Sequence, residues 1–335
     1  MRKKTEDLVE KVLMDHRGTY FSGQELADRL NVSRTAIWKA VEKLREGGLD
    51  IEAMTKKGYR LAPSQDALDE VELKTHLLDQ FPREKLRIFE SIDSTNSALA
   101  RDDDESPLPH FTTYVAEEQT AGRGRTGREF QSPAYSGLYF SFLLKDAAIL
   151  NPEKLSPQLI TVRAAVALYL AIKRETGIET QIKWVNDLFY DGRKITGILT
   201  EGKIQQGRIQ RIIVGVGLNV YTAKEQFKAE FQEIAASLNP KNTNRSLLLA
   251  AILNELYLTF HQRSDEEILK IYREQNLVLG KTVEFTKNDI LYQGLARDIN
   301  GEGNLLVTVG DEEMVLTGGE VSLKGDWYER RREEL

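Results

Sequence analysis

The sequence predicts an α+β protein: an N-terminal winged helix-turn-helix, a central mixed β-sheet with helices packed on it, and a small SH3-like β-barrel at the end. Three observations predict it. Residues 1–65 hold three short helical stripes, two of them with capping signals, and then two alternating segments. Residues 66–275 interleave alternating apolar segments with long helical patterns. Residues 276–335 hold only short alternating segments separated by turn residues.

In the head, Leu8, Val9, Val12 and Leu13 fall on one helical face. Ser22-Gly23-Gln24-Glu25 is a capping box, with Phe21 and Leu26 placed as its hydrophobic staple. Asn31-Val32 interrupts the pattern, and Ser33 caps a third helix whose inner stripe is Ile37, Val41 and Leu44. Gly47-Gly48 ends it. Ile51–Met54 and Tyr59–Leu61 alternate as strands joined by Thr55-Lys56-Lys57-Gly58, a wing. Pro63 to Asp66 reads as a linker. Two capped helices with a tight joint, over about 22–45, form a helix-turn-helix. Ser33, Arg34, Thr35, Trp38 and Lys39 on the third helix, with Lys56 and Lys57 on the wing, are the candidate DNA contacts. A helical protein-interaction module with a solvated basic face is the alternative. Trp38 taken alone could equally be core.

In the body, Leu86–Ile92 reads as a strand and Asp93-Ser94-Thr95-Asn96 opens a helix. Strands follow at 111–119 and Gly137–Leu144, and Ser156-Pro157 starts a long helix that Gly177 stops. Strands at Thr180–Val185, Leu188–Tyr190, Lys194–Glu201 and Arg211–Val220 precede helices at Ser246 to about Arg263 and Asp265–Gln275. Mostly hairpin connections predict a mainly antiparallel sheet. In the tail, strands are expected at Thr282–Thr286, Leu291–Asp298, Leu305–Val309 and Met314–Leu323, followed by a charged end at 328–335.

Composition sets limits. Hydrophobic residues at 41% and charged residues at 29% are ordinary for a globular protein. No cysteine is present, which excludes disulfides, thiolate catalysis and cysteine-ligated metal. Four scattered histidines show no metal-ligand spacing, and each reads as a surface or loop residue. There is no run of 18 apolar residues and no signal stretch, so neither membrane nor export is expected and the cytoplasm is the default. Net charge is −6, yet residues 1–62 carry 13 Lys/Arg against 10 Asp/Glu. A mildly basic head on an acidic body suits DNA contact by the head alone.

The densest chemical signal is Gly122-Arg123-Gly124-Arg125-Thr126-Gly127-Arg128. Glycines let the backbone approach a ligand, and guanidinium groups give paired hydrogen bonds to carboxylate or phosphate. An RGG-like nucleic-acid tract or a merely mobile loop is the alternative. Lys183-Trp184-Val185-Asn186-Asp187, then Arg193-Lys194, offers cations and amide or carboxylate groups suited to ATP with magnesium. There is no P-loop motif. Gly215-Val216-Gly217-Leu218-Asn219-Val220 reads as sheet core near the site, with its glycines admitting close approach.

These motifs, in this order, resemble the bacterial bifunctional biotin–protein ligase and biotin-operon repressor family over almost the whole chain. The resemblance implies a biotin/lipoate ligase-like central fold, related to class II synthetases, and domains at 1–65, 66–275 and 276–335. It implies biotin binding by Ser94, Thr95, Asn96, Gln119, Gly122, Arg123, Gly124, Arg125 and Lys194. It implies nucleotide or adenylate binding by Arg125, Arg128, Lys183, Asn186, Asp187 and, at a helix start, Arg245. Mg2+ would enter with ATP near Asp187 rather than in a dedicated protein cage. Two positions depart from the family: Val185 stands where proline is common, and Phe130 where tryptophan is common.

The implied chemistry is formation of biotinyl-5′-AMP from biotin and ATP, then transfer to a lysine of a biotin carboxyl carrier domain. Lys194 and Arg125 are the expected catalytic cations. The adenylate would promote a homodimer that grips operator DNA of biotin genes. A lipoate ligase on the same fold and a DNA-binding sensor without turnover are the rivals.

Overall fold

The computed structural model describes residues 5–15, 20–46, 51–55, 57–61, 67–151, 156–206, 208–241 and 243–323. The expected stop at Gly47-Gly48, Lys56 at the wing tip, the Pro63–Asp66 linker and the charged end at 328–335 lie outside them. The chain divides into two compact units, Met1–Ala67 and Leu68–Leu335.

The first unit holds α1 (Thr5–Asp15), α2 (Gly23–Leu30), α3 (Arg34–Glu46), β1 (Ile51–Met54) and β2 (Gly58–Leu61). The capping box forms: the Glu25 amide donates to Ser22 Oγ at 3.0 Å, and Glu25 accepts from the Ser22 amide at 3.2 Å. Asn31 turns left-handed and ends α2, which produces the interruption read from the sequence. The Ala36 amide donates to Ser33 Oγ at 3.1 Å, so Ser33 caps α3. Strands β1 and β2 pair antiparallel as a wing. Val9, Leu13, Leu26, Ile37, Val41 and Ile51 form this unit's own core.

The second unit begins with α4 (Glu70–His76), then β3 (Leu86–Ile92), α5 (Thr95–Glu105), β4 (Thr113–Gln119) and β5 (Gly137–Leu144). It continues with α6 (Pro157–Thr176), β6 (Gln181–Lys183), β7 (Asp187–Tyr190), β8 (Arg193–Gln205), β9 (Arg208–Asn219), α7 (Arg245–His261) and α8 (Asp265–Glu274). A seven-stranded sheet runs in the order β3-β4-β5-β9-β8-β7-β6. Only β3 and β4 are parallel, joined through α5; every other pair is antiparallel, and β6–β7, β7–β8 and β8–β9 follow one another directly along the chain. Every residue of β5 is buried, which marks it as a central strand covered on both faces. Helices α6 and α7 share the large core cluster with the sheet, while Ala98 and Leu99 of α5 pack in a separate cluster with Tyr114, Leu143 and Ile213. The register of β4 on β5 explains the division: alternate residues of one strand face opposite sides.

The C-terminal strands are β10 (Thr282–Lys287), β11 (Ile290–Ile299), β12 (Leu305–Val309), β13 (Glu312–Leu316) and β14 (Val321–Leu323), an antiparallel sheet in the order β13-β12-β11-β10-β14. Phe285, Ile299 and Val307 belong to the same continuous cluster as α6 and α7. Trp184 Nε1 donates to the Gly303 carbonyl at 2.9 Å, which ties the central sheet to the C-terminal turn.

One expectation changes. Met314–Leu323 is two strands, not one, because Thr317–Glu320 with its Gly318-Gly319 pair leaves the sheet; Gly319 has φ +101, which the strand conformation excludes. The described histidines are surface or loop residues as expected, and two of them meet across the fold. His76 and His261 are helical, and His110 Nε2 lies 3.1 Å from His261 Nε2.

Candidate active site

Loops together with residues of β4 and β6 to β9 line a cavity of about 630 Å³, the size of a small-ligand site. Its walls gather segments far apart in the chain. Ser94, Thr95 and Asn96 come from the start of α5, Gln119 from the end of β4, and Arg123, Gly124, Arg125 and Arg128 from the loop that follows. Lys183, Asn186, Asp187 and Lys194 come from the β6–β7–β8 hairpins.

The floor is a hydrogen-bonded cradle. Ser94 caps α5, so the first turn of that helix is held against the sheet. The Thr95 amide donates to Gln119 Oε1 at 2.9 Å, and Gln119 Nε2 donates to Ser132 Oγ at 2.9 Å. Ser141 Oγ, from β5, donates to Asn96 Oδ1 at 2.5 Å. Ser94, Thr95 and Asn96 are all buried, so these partners are what keeps their polar atoms satisfied. The glycines of β9 make room for them. A Cβ on Gly215 would sit 2.1 Å from Asn96 Oδ1, and one on Gly217 would sit 2.3 Å from Phe130 Cε1. That is the close approach read from the sequence, and the glycine pair lies inside β9 as the expected strand placed it.

The rim is cationic and cross-linked. Arg125 Nη1 donates to Asn186 Oδ1 and to the Gly319 carbonyl, each at 3.2 Å. Arg128 pairs with Glu320 at 2.8 Å, Arg123 with Glu201 at 3.3 Å, and Lys194 with Asp187 at 2.8 Å. Burial pulls the Lys183 ammonium below its ordinary pKa, against the opposing pull of Asp187 and Glu320. For Glu320 burial would push the carboxyl up, but Arg128, with Lys183 and Lys194 behind it, overrides this and holds it below the carboxylate range.

Two carried-over residues fall elsewhere. Arg245 does not reach the cavity. It is 2 % exposed, pairs with Glu117 at 2.7 Å and donates to the Gly137 carbonyl at 2.8 Å, so it braces β4 and β5 instead of offering a cation to a nucleotide. Gly122 lies behind the loop, where a Cβ would meet the Phe130 carbonyl oxygen at 2.4 Å; it shapes the loop from beneath rather than lining the cavity.

Other lining residues were not anticipated. Phe227, Phe231 and Ile234 form an apolar wall, and Gly319 and Glu320 arrive from the C-terminal sheet. The four-and-three spacing of Phe227, Phe231 and Ile234 is the signal that could have found the first group. Phe130 faces Gly197 and Gly217, so the residue that departs from the family pattern lines the cavity itself. Val185 is buried, follows a cis peptide bond, and its carbonyl accepts from Tyr272 Oη at 3.1 Å.

In the first unit, α3 turns Ile37, Ala40, Val41 and Leu44 inward and leaves Ser33, Arg34, Thr35 and Lys39 exposed. Trp38 is 53 % exposed, which removes it from the core and leaves it on the same surface. Lys57 is exposed on the wing. Among the described residues no group of three or more His, Asp or Glu side chains could hold a metal ion. No helix among them is long and apolar enough to cross a membrane.

Comparison with known proteins agrees with this arrangement. The model of the Biotin/lipoate A/B protein ligase family matches residues 88–219, an HTH domain matches residues 5–60, and the Biotin protein ligase C terminal domain matches residues 278–324. The bifunctional ligase/repressor BirA of Bacillus spizizenii is 33% identical over 310 residues, covering 90% of this chain and 93% of that protein. BirA of Escherichia coli is 29% identical, over 92% of this chain and 94% of its own. A biotin protein ligase from Aquifex aeolicus, solved in complex with biotin and ATP, superposes with a TM-score of 0.60 at 26% identity, covering 71% of this chain and 98% of that one. With a relative this similar matched over nearly its whole length, the chain belongs to the bifunctional ligase/repressor BirA family.

Proposed function

We propose that this protein activates biotin with ATP, transfers it to a lysine of a biotin carboxyl carrier domain, and represses biotin genes through its winged helix. The observation that carries the reading is a single cavity lined by Ser94, Thr95, Asn96, Gln119, the Gly-Arg loop and Lys194. The apolar and amide-rich cradle suits the ring system of biotin. The cations of the rim suit a carboxylate and a polyphosphate.

In the first step a biotin carboxylate oxygen attacks the α-phosphorus of ATP. The bond to the bridging oxygen breaks and pyrophosphate leaves, giving biotinyl-5′-AMP. In the second step a neutral lysine amine of the carrier attacks the acyl carbon. The bond to the adenylate oxygen breaks, AMP leaves and the nitrogen loses a proton. Both steps run without a protein nucleophile, so the chain contributes position and charge. Lys194 and Arg125 neutralise charge gathering on the phosphoryl and carboxylate oxygens. Asn186 holds Arg125 toward the cavity, and Asp187 holds Lys194. Arg128 and Lys183 extend the positive rim for the nucleotide. Mg2+ would be carried in on the phosphates, with Asp187, a carboxylate that lines the cavity, as the residue to meet it; bound there, it would screen phosphate charge.

Biotin and ATP are the substrates. Arg34, Thr35, Trp38 and Lys39, with Lys56 and Lys57 of the wing, contact operator DNA. The adenylate-bound form dimerises on two half-sites in the cytoplasm. The division at residues 65 and 275 assigns one function to each part: DNA, catalysis and loop closure. The test is pyrophosphate release from ATP with biotin or lipoate, followed by label transfer to a carrier domain.

A further inference from the structure

Glu201 belongs to none of the motifs that point to the site, and it does not line the cavity. It stands on β8 with its side chain 39 % exposed, and it touches two residues that do line the cavity. Asn96 Nδ2 donates to Glu201 Oε2 at 2.7 Å, and Arg123 Nη2 donates to both carboxylate oxygens at 3.3 Å. One carboxylate thus joins the buried floor of the cradle to the first arginine of the loop above it.

The chemistry of this contact has a direction. A carboxylate only accepts hydrogen bonds. Asn96 must therefore turn its NH2 group to Glu201, which leaves Oδ1 facing Ser141. Ser141 Oγ gives its proton to that oxygen, so at its 2.6 Å contact with Thr95 Oγ1 it can only accept, and the one Thr95 hydroxyl proton lies between Ser141 Oγ and Gln119 Oε1, 3.1 Å away. At the far end, the Thr95 amide fixes Gln119 Oε1 as an acceptor, so Gln119 Nε2 points the other way, to Ser132. An amide at position 201 would impose no such order, because it can give or accept. The fit around Asn96 is close, since a Cβ on Gly215 would sit 2.1 Å from its Oδ1.

We propose that Glu201 is a positioning residue of the biotin pocket: it sets the amide sense of Asn96, and through Ser141 the hydroxyl sense of the cradle, and holds Arg123 beside it. The assignment rests on the ligase reading above. Its effect falls on biotin capture, not on the phosphoryl chemistry, because Lys194, Arg125 and Lys183 lie apart from this contact.

The test compares wild type with Glu201→Gln, Asn96→Asp and the double variant. Pyrophosphate release is measured against biotin and, separately, against ATP, and thermal midpoints are recorded. Glu201→Gln should raise KM for biotin on the order of ten-fold, the usual scale for losing a charge-assisted hydrogen bond, with KM for ATP and kcat little changed. Asn96→Asp should be worse, since it sets two carboxylates against each other. The double variant should recover part of that loss: the introduced amide at position 201 can donate to the new carboxylate, which still accepts from Ser141. A Glu201→Gln enzyme with unchanged KM for biotin would overturn the proposal. So would a double variant no better than Asn96→Asp, or a loss that follows the thermal midpoint and affects ATP and biotin equally. A wild type with no biotin-dependent release would instead overturn the ligase reading itself.

Discussion

Arg128 Nη2 lies 2.8 Å from Glu320 Oε2, so the Gly-Arg loop is tied to the segment that breaks the last strands of the C-terminal sheet. Both side chains are more than half exposed, at 70 % and 59 %, which makes the pair weak and salt-sensitive. A weak latch suits a loop that must open for substrates and for the carrier lysine. Glu320→Gln should leave the thermal midpoint nearly unchanged, since such a pair contributes about 0–1 kcal/mol. It should speed escape of the acyl-adenylate from the enzyme. Release of labelled adenylate from a preloaded enzyme measures this; an unchanged escape rate would remove the latch from the account.

Lys194→Ala should slow biotin-dependent pyrophosphate release by roughly 10²–10³-fold in kcat, as when a donor to developing charge is lost. The fold should survive, because Lys194 is partly exposed and its partner Asp187 faces the cavity. Circular dichroism with steady-state kinetics decides it. Adenylation at the wild-type rate would show that Lys194 is not the electrostatic group.

Gly215→Ala should raise KM for biotin at least about ten-fold, because its methyl group would meet Asn96 Oδ1 at 2.1 Å and displace the cradle. Gly301→Ala is the control, since a Cβ there meets nothing within 4 Å. Equal kinetics for the two variants would mean that Asn96 is not held where the substrate needs it.

The His110–His261 contact predicts an acid-sensitive fold. The Lys145 amide donates to His110 Nδ1 at 3.0 Å, and His261 Nδ1 donates to the Tyr257 carbonyl at 2.8 Å. His110 Nε2–H then donates to His261 Nε2, so both nitrogens of the His110 ring are engaged. Burial first, then His261, depress the His110 pKa from 6.5 to about 4; Lys85 adds to this and Asp146 opposes it. Because the folded pKa lies below the unfolded one, the unfolded chain binds more protons in that interval. The contribution is therefore whole above about pH 6.5 and lost as pH falls toward 4. The thermal midpoint should drop across this window in the wild type and drop less in His110→Gln. Parallel curves for the two proteins would contradict it.

How much was legible in the sequence follows from the range of each interaction. The Ser22–Glu25 box, the Ser156-Pro157 start and Gly177 stop of α6, and the full length of β5 are local signals, and the structure repeats them. The cradle and loop residues were legible because their motifs are local too, although what gathers them into one cavity is the sheet order. The pairs that were missed are long-range. Arg245 meets Glu117 across 128 positions and His110 meets His261 across 151. At a helix start the charge of Arg245 looks available, and only the fold brings Glu117 to it. The Thr317–Glu320 break was hidden because Met314 to Leu323 still alternates well enough to pass for one strand.

Arg34→Ala and Lys57→Ala should weaken DNA binding while leaving pyrophosphate release intact, since both residues lie in the first compact unit. If Lys57 contacts phosphate, its removal should lower the salt slope of binding by about one. Fluorescence anisotropy across a salt series measures both effects. Wild-type affinity in both variants would move the DNA contacts off this surface.

The central claim is that one cavity activates biotin. The direct measurement is pyrophosphate release by the full chain with ATP and magnesium, in the presence of biotin, lipoate or neither. Release should depend on biotin and be negligible with lipoate. Release that is absent with biotin from folded protein, or equal with lipoate, would contradict it.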